Sequence, residues 1–421
     1  MRIILLVFLL CAPTLTFAKD LQIGRANSVG LSAERLDRIT ELSRQYVNTE
    51  KITGIVTMVS RKGKIVHFEA IGKRGLKDKR PLSKDALFRI YSMSKPITAV
   101  AAMILYEEGK FQLLDPVSKF LPELNNLKVL EERGLVDPKT PITMQQLLSH
   151  TAGFTYGFTR DNPVDIAYQD EQILNAKNTD DFVNRITKIP LLYHPGTRWH
   201  YSISIDLLGA VIERISGMPF DKFLYQRIFE PLKMHDTFFD IPESKMHRFL
   251  PNQMWDTQKN QQVSYVEKDY PIYQNTKFFS GGGGLVSTAM DYMRFAEMLR
   301  KGGELDRRRI LSPKTIEFMT QNHLSGALGA SARGESAGND SGQIRGYGHG
   351  LGFGVVESSV GTGVLGSNGE YSWGGAAGTI FWVDPLEDMI VVAMIQQMRS
   401  PWPLRSQLKV LSNASIIKVN K

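Results

Sequence analysis

The sequence predicts an α+β fold in which both ends of the chain contribute strands to one antiparallel sheet flanked by helices, while the middle forms a second, mostly helical lobe. Residues 54–72 (GIVTMVSRKGKIVHFEAIG) have the pattern of a β-hairpin that turns at Lys-Gly. Residues 371–385 and 388–397 read as adjacent antiparallel strands joined by a turn at Asp384-Pro385. The simplest closure pairs the two strand-rich ends in one sheet and leaves a cleft against the helical lobe.

Local patterns predict the remaining elements. Residues 31–48 carry a capping serine at Ser32 and apolar side chains along one face, which indicates an amphipathic helix. The other predicted elements are a helix from about Ser92 to Glu108, a helix at 204–216, a glycine-rich link at 280–288 into another helix, and a final helix from about Trp402. The glycine-rich link is not followed by Gly-Lys-Ser/Thr, so it does not match a phosphate-binding loop.

The N-terminus has the pattern of a secretory signal peptide at residues 1–18. Arg2 precedes an apolar run, and the run ends in Thr16-Phe17-Ala18, with small residues at −3 and −1 of a cut before Lys19. An uncleaved anchor helix is the alternative. No later stretch is apolar for long enough to span a bilayer. We therefore expect a periplasmic or secreted protein without a transmembrane segment after cleavage.

The rest of the chain, 19–421, is expected to be one folded unit with two lobes. The α/β lobe is predicted to combine residues from about 28–90 and 285–415. The helical lobe is predicted at about 91–284, and the active site is expected between the lobes.

Composition excludes several classes of site. Cys11 is the only cysteine and lies in the signal peptide, so the mature chain has no disulfide, cysteine nucleophile or thiolate metal site. The net charge is +8, but the longest basic run is the three arginines at 307–309, and no nucleic-acid recognition motif is present. The eight histidines lack metal-binding spacing. We expect no nucleic-acid partner, no metal and no cofactor.

Ser92 and Lys95 raise a specific chemical possibility. Ser-x-x-Lys places the two side chains one helical turn apart on the same face. A serine hydroxyl is a weak nucleophile that needs a neighbouring base, and a neutral lysine can be that base. The motif alone is weak, because it also occurs at Ser406 and Ser415 in the C-terminal helix and tail. A capping serine beside an exposed lysine is the alternative interpretation.

The sequence around the motif resembles the serine β-lactamase and penicillin-binding protein superfamily, and most closely class C β-lactamases and family VIII carboxylesterases. The resemblance extends from about residue 30 to 410. Its segments occur in the family's order: LFRIYSMSKPITA around Ser92, LLSHTAGF at 147–154, PGTRWHYSISIDLLGAVIERISG at 195–217, GGGGLVSTAMDYMRFAEML from 281, and WGGAAGT at 373–379. It implies the β-lactamase/transpeptidase-like arrangement of an α/β lobe and a helical lobe.

The resemblance also implies catalytic roles. Ser92 would be the acylated nucleophile, Lys95 its basic partner and Tyr201 a second proton relay that shares a proton with Lys95. Tyr201 has an alternative interpretation as a core aromatic residue with a hydrogen-bonded hydroxyl.

An oxyanion hole is implied at the backbone N–H groups of Ser92 and Ala376. Gly374 and Gly375 would let this strand approach a substrate closely. Trp373 occupies the place where the family carries the lysine of Lys-Thr-Gly. A lysine would contact a substrate carboxylate, whereas a tryptophan offers an apolar face.

A second departure lies in the tyrosine motif. Class C enzymes carry Tyr-x-Asn, but the third residue here, expected in the substrate pocket, is Ile203, which cannot donate a hydrogen bond. The pattern Tyr-Ser-x-x-x-Asp is closer to the esterase branch. Both departures favour neutral, apolar acyl esters as substrates.

Several other residues have competing interpretations. Phe154, Tyr156 and Phe158 could line an acyl pocket or belong to the core of the helical lobe. The resemblance implies a structural role for His150. Ser336 lies in GESAG, which matches the α/β-hydrolase nucleophile motif, but its neighbours are not apolar, and we interpret it as a loop serine.

The sequence therefore predicts a serine hydrolase that acts on carboxylic esters. The alternative is a β-lactamase or a D-alanyl-D-alanine carboxypeptidase-like peptidase. A non-catalytic, cell-wall-binding relative is the third possibility. The expected partners are a small-molecule ester or amide substrate or a cell-wall peptide.

Overall fold

The structure is a computed structural model that describes residues 21–265, 273–324 and 346–420. The predicted signal peptide at 1–18 and the GESAG segment at 334–338 lie outside the described residues.

The described strands are β1 (Gln22–Ile23), β2 (Gly54–Arg61), β3 (Lys64–Gly72), β4 (Phe88–Arg89), β5 (Val129–Glu131), β6 (Gly134–Val136), β7 (Asn252–Asp256), β8 (Gln261–Tyr265), β9 (Val286–Ser287), β10 (Glu304–Leu305), β11 (Arg308–Arg309), β12 (Tyr347–His349), β13 (Gly354–Val356), β14 (Tyr371–Gly374), β15 (Ile380–Asp384), β16 (Met389–Ile395) and β17 (Gln397–Met398).

The described α-helices are α1 (Ala33–Asn48), α2 (Ser94–Glu107), α3 (Met144–Leu148), α4 (Pro163–Asp170), α5 (Thr179–Ile186), α6 (Ser204–Ser216), α7 (Phe220–Leu224), α8 (Glu230–Leu232), α9 (Ala289–Arg300), α10 (Pro313–Met319), α11 (Ser359–Thr362) and α12 (Leu404–Ala414). Across the three described ranges, no helix is both long enough and apolar enough to cross a membrane.

An eight-stranded sheet joins the two ends of the chain. Its strand order is β1-β3-β2-β16-β15-β14-β13-β12. All neighbouring pairs are antiparallel except the short parallel pair of β1 and β3. In the central pair, Ile55 of β2 lies opposite Ile395 of β16. The predicted sheet, the hairpin at 54–72 and the turn after Asp384 are confirmed.

The expected single strand at 371–385 is wrong, because it is two strands. β14 and β15 pair antiparallel, with Gly374 opposite Ile380. The chain reverses in the short turn between them, where Gly378 has a φ of 92°. A residue with a side chain is strained at this φ, so the glycine permits the tight reversal.

Helices cover both faces of the sheet. α1 and α12 pack against each other, and their apolar side chains form one cluster with outward-facing residues of β2 and β16. α9 packs on the opposite face against β2, β15 and β16. Every residue of β2 and β16 is consequently buried, as expected for strands covered on both faces.

α2 is the central helix of the molecule. All of its residues from Ser94 to Leu105 are buried, and it packs against α6 and α7 of the helical lobe. A helix that is apolar all round is stable only where other elements surround it. α2 begins at Ser94 rather than at Ser92, which places Ser92 in a preceding 3-10 turn at Tyr91–Met93.

Candidate active site

Ser92 lies at a sharp bend between β4 and α2. The preceding Tyr91 has a φ of 44°, in the left-handed region that residues other than glycine rarely adopt. The Tyr91 hydroxyl accepts a hydrogen bond from Asn252 Nδ2. Tyr91 and Met93 are buried while Ser92 between them is half-buried, so the bend leaves the Ser92 side chain the most accessible of the three.

The three predicted catalytic side chains meet at Ser92 Oγ. The Tyr201 hydroxyl donates a hydrogen bond to this oxygen at 2.6 Å, and Lys95 Nζ donates another at 3.3 Å. Lys95 is only 1% exposed, and its Nζ lies 4.6 Å from the centre of the Tyr201 ring. One hydroxyl oxygen is thus contacted by two groups that can exchange protons.

A buried carboxylate supports Lys95 from behind. Lys95 Nζ donates to the Gly282 carbonyl at 2.7 Å, and the Gly282 N–H donates to Asp206 Oδ1 at 3.0 Å. Asp206, which is 1% exposed, also accepts hydrogen bonds from the hydroxyls of Ser280 and Tyr156. Three donors satisfy the buried carboxylate. Asp206 therefore holds the glycine loop that in turn holds Lys95.

Gly282 is required at this point of the loop. A Cβ atom on Gly282 would overlap Asp206 Oδ2 and the Tyr156 hydroxyl oxygen. Only a residue without a side chain lets the backbone lie this close to the carboxylate.

The turn between β14 and β15 is pressed against the chain just before Ser92. Thr379 Oγ1 donates to the Ile90 carbonyl at 3.3 Å, and a Cβ atom on Gly375 would overlap the same carbonyl. Ala376 is exposed at the apex of the turn. The predicted oxyanion residue Ala376 therefore belongs to a turn that contacts the segment carrying Ser92.

Three aromatic side chains border the reacting group. Phe158, which is 70% exposed, stacks on Tyr156 with ring centres 4.9 Å apart. Tyr156 lies 5.2 Å from Tyr201, and Trp373 lies 5.8 Å from Tyr201 on the same centre-to-centre measure. Tyr156, Phe158 and Trp373 therefore form an aromatic surface around Tyr201.

Other predicted pocket residues have different positions. Phe154 and Ile203 are each 1% exposed and belong to the main hydrophobic cluster, so we assign both to the core rather than to a pocket. Gly374 faces α12, where a Cβ atom would lie 3.1 Å from Arg405 Cζ, and Gly375 faces Ile90. A side chain at either glycine would meet atoms of the protein itself.

Two buried histidines lie behind Tyr201. The His150 ring centre is 4.9 Å from that of Tyr201 and 5.5 Å from that of His349. His150 Nδ1 accepts the Ser202 N–H at 3.3 Å. Burial lowers the pKa of His150 well below its usual value. Burial lowers the pKa of His349 to about 3. Both rings are therefore held neutral, with His150 packed on Tyr201 and His349 packed on His150 and Trp373.

Comparison with known proteins decides the family. The family model described as Beta-lactamase matches residues 39–413. The chain belongs to the beta-lactamase family. Among its relatives, Protein Rv1367c of Mycobacterium tuberculosis is 34% identical over 367 residues, which cover 84% of this chain and 88% of that protein. Esterase EstB of Burkholderia gladioli is 28% identical over 374 residues, which cover 84% of this chain and 87% of EstB.

The fold of this beta-lactamase family member also matches solved structures. EstCE1, described as a hydrolase with promiscuous acyltransferase activity, superposes with a TM-score of 0.77 at 26% identity, covering 91% of this chain and 99% of that chain. A penicillin-binding protein homologue from Caulobacter crescentus has a TM-score of 0.69 at 19% identity, covering 92% and 99% respectively, and this likeness concerns the fold. The predicted superfamily and its fold are confirmed.

Sequence reasoning missed the support of Lys95 by Asp206 and Gly282. The available signal was a single acidic residue in the apolar stretch SIDLLGAVI, since a carboxylate on a buried helix face needs a built set of donors. The run of glycines at 281–284 was a second signal, because close backbone approach explains its composition.

The buried histidines predict a pH dependence of stability. The pKa of His349 is about 3 in the folded protein and about 6.5 in an unfolded chain, so only the unfolded state takes up the proton between these values. Neutral His349 therefore makes its full contribution to the free energy of unfolding well above pH 6.5, and this contribution decreases as the pH falls. Between pH 7 and pH 5, the free energy of unfolding should fall by about 2 kcal/mol more in the wild type than in His349→Phe.

Urea unfolding at both pH values measures this difference. His247→Phe, at an exposed histidine, is the matched control and should keep the wild-type pH dependence. Equal pH dependence in the wild type and His349→Phe would show that His349 is not held neutral.

Proposed function

We propose that this protein is a serine hydrolase that cleaves carboxylic esters through an acyl-Ser92 intermediate. The observation that carries the proposal is the convergence of the Tyr201 hydroxyl and the buried Lys95 amine on Ser92 Oγ, at 2.6 and 3.3 Å. A serine hydroxyl becomes an effective nucleophile when an adjacent base removes its proton. Membership of the beta-lactamase family and the similarity to Esterase EstB support the same chemistry.

In the acylation step, Ser92 Oγ attacks the ester carbonyl carbon, and its proton passes to the pair formed by Lys95 and Tyr201. A single proton shared by this pair leaves it able to accept another. The carbon–oxygen bond to the alcohol then breaks, and the pair returns a proton to the departing alkoxide. Water attacks the acyl carbon by the same route, which releases the carboxylic acid and restores the Ser92 hydroxyl.

We assign the oxyanion hole to the backbone N–H groups of Ser92 and Ala376. Ser92 precedes the N-terminus of α2, where the helix dipole favours negative charge. Ala376 is exposed at the apex of a turn that contacts Ile90. Donors fixed before the reaction stabilise the oxyanion without a cost of reorganisation.

The surroundings of Ser92 favour neutral, apolar esters over β-lactams or peptides with a free carboxylate. Trp373 is aromatic where a lysine would pair with a carboxylate. Tyr156, Phe158 and Trp373 present ring surfaces next to the relay tyrosine. Aromatic faces bind apolar groups and contribute no countercharge for an anion.

We further propose that the protein is exported by its N-terminal segment at 1–18 and acts in the periplasm or outside the cell. The two-lobe boundaries at about 91–284 for the helical lobe and about 28–90 with 285–415 for the α/β lobe remain part of this proposal. A small-molecule ester or amide, or a cell-wall peptide, is the expected partner.

The proposed reaction is tested by labelling the purified mature protein with a fluorophosphonate and measuring its intact mass. Parallel rates are measured on a short p-nitrophenyl ester and on a chromogenic cephalosporin. We expect one adduct, mapped to Ser92, and much faster hydrolysis of the ester. Ser92→Ala should fold and lose both the adduct and the turnover. Faster turnover of the cephalosporin would favour a β-lactamase, and an adduct on Ser336 would reject the proposed site.

Tyr201→Phe tests the proton relay. It removes the hydroxyl that donates to Ser92 Oγ and keeps the ring that packs on His150 and Trp373. We expect kcat for the ester to fall by about 10²-fold or more, the usual scale for loss of general acid–base catalysis. Tyr193→Phe, at a tyrosine that packs on His200, is the matched control and should keep the wild-type rate. An unchanged kcat in Tyr201→Phe would remove Tyr201 from the mechanism.

A further inference from the structure

Arg405 of α12 is hydrogen-bonded to the turn that carries Ala376. Its guanidinium donates hydrogen bonds to the carbonyls of Gly375 and Thr379, the latter at 3.1 Å. In the chain, Gly375 precedes and Thr379 follows the apex of the turn between β14 and β15. Arg405 comes from the layer of helices behind the sheet, and Gly374 leaves room for it, since a Cβ atom there would lie 3.1 Å from Arg405 Cζ.

The geometry of one peptide group connects Arg405 to the oxyanion hole. The Gly375 carbonyl and the Ala376 N–H belong to the same peptide, and in a planar trans peptide they point in opposite directions. Arg405 holds the carbonyl on its own side of the turn. The backbone bonds of the turn run from Gly375 N–H to Thr379 O at 2.8 Å and from Gly378 N–H to Gly375 O at 3.1 Å. The Ala376 N–H takes part in neither bond.

Besides orienting the peptide, the positive charge of Arg405 strengthens the Ala376 N–H as a hydrogen-bond donor. A hydrogen bond from a guanidinium is stronger than one between neutral groups. A donor on the carbonyl of a peptide polarises that peptide and strengthens its N–H as a donor, because hydrogen bonds in chains reinforce one another. The Gly375 carbonyl accepts one hydrogen bond from the Arg405 guanidinium and another from the backbone N–H of Gly378.

We propose that Arg405 is a positioning residue of the oxyanion hole, which aims and polarises the Ala376 N–H through the Gly375 carbonyl. The inference rests on the proposed function, because it assigns an effect to a donor that stabilises a tetrahedral oxyanion. It predicts that Arg405 affects the transition state and leaves substrate binding nearly unchanged.

A purely structural role for Arg405 makes a different prediction. If Arg405 only holds α12 against the sheet, its removal would lower the stability of the fold. The kcat of each molecule that remains folded would then be unchanged. Arg35 provides the comparison, because it is exposed and its guanidinium donates to the Ala414 carbonyl at the far end of α12, at 2.9 Å.

The experiment measures kcat and KM for the p-nitrophenyl ester in the wild type, Arg405→Met, Arg405→Lys and Arg35→Met, with active sites counted by fluorophosphonate titration. We expect Arg405→Met to lower kcat by about 10-fold with KM changed less than about 3-fold, a smaller loss than the about 10²–10³-fold effect of deleting an oxyanion donor. Arg405→Lys should fall between Arg405→Met and the wild type, because lysine keeps the positive charge but lacks the planar guanidinium whose Nη2 donates to both carbonyls. Arg35→Met should keep the wild-type kcat.

A kcat within about 2-fold of the wild type in folded Arg405→Met would overturn the inference. If Arg405→Met does not fold, Arg405→Lys decides, and an unchanged kcat there overturns it. A wild-type protein that forms no Ser92 adduct and hydrolyses no ester would instead reject the proposed function, and the inference with it. That outcome is seen in the wild type alone, so the two failures are distinguishable.

Discussion

The burial of the Lys95 amine is the constraint on which the rest of the site depends. α2 is buried on all sides from Ser94 to Leu105, so a cationic side chain on it must find polar partners inside the molecule. Lys95 finds them in Ser92 Oγ and the Gly282 carbonyl, and it lies over the rings of Tyr156 and Tyr201 at 5.0 and 4.6 Å. These partners come from separate parts of the chain. Satisfying one buried nitrogen thus fixes the nucleophile, the relay tyrosine and the glycine loop relative to one another.

Two segments next to Ser92 are held in place in the same way. On one side, the Asp206 carboxylate is buried among donors and holds Gly282 in place for Lys95. On the other side, the Arg405 guanidinium holds the carbonyls of the turn that carries Ala376. Glycines occur at both contacts because a side chain would separate the backbone from the charged group. Gly282 and Gly374 are therefore explained by their contacts with the side chains of Asp206 and Arg405, and a bound phosphate is not needed to account for them.

Local elements and the pairing of the two strand-rich ends could be predicted from the sequence, whereas the hydrogen bonds of Asp206 and Arg405 to distant glycines could not. The two strands of the hairpin at 54–72 are joined by a short turn, and Ser92 and Lys95 are one helical turn apart, so local periodicity is informative for both features. The Asp206 bond to Gly282 spans 76 residues, and the Arg405 bond to Gly375 spans 30. Phe154 shows a second limit of prediction from sequence. An aromatic residue near a motif can face the core as readily as a substrate, and its orientation depends on how the side chains pack.

The most direct test of this account is the rate at which fluorophosphonate labels Ser92 in Lys95→Met, compared with the wild type at the same pH. Methionine retains an unbranched side chain at this buried position but cannot accept or donate the proton. The account predicts that labelling slows by about 10²–10⁴-fold, the range for loss of a general base, while the thermal unfolding transition stays cooperative. Labelling of Ser92 at the wild-type rate in folded Lys95→Met would contradict the claim that the buried lysine activates this serine.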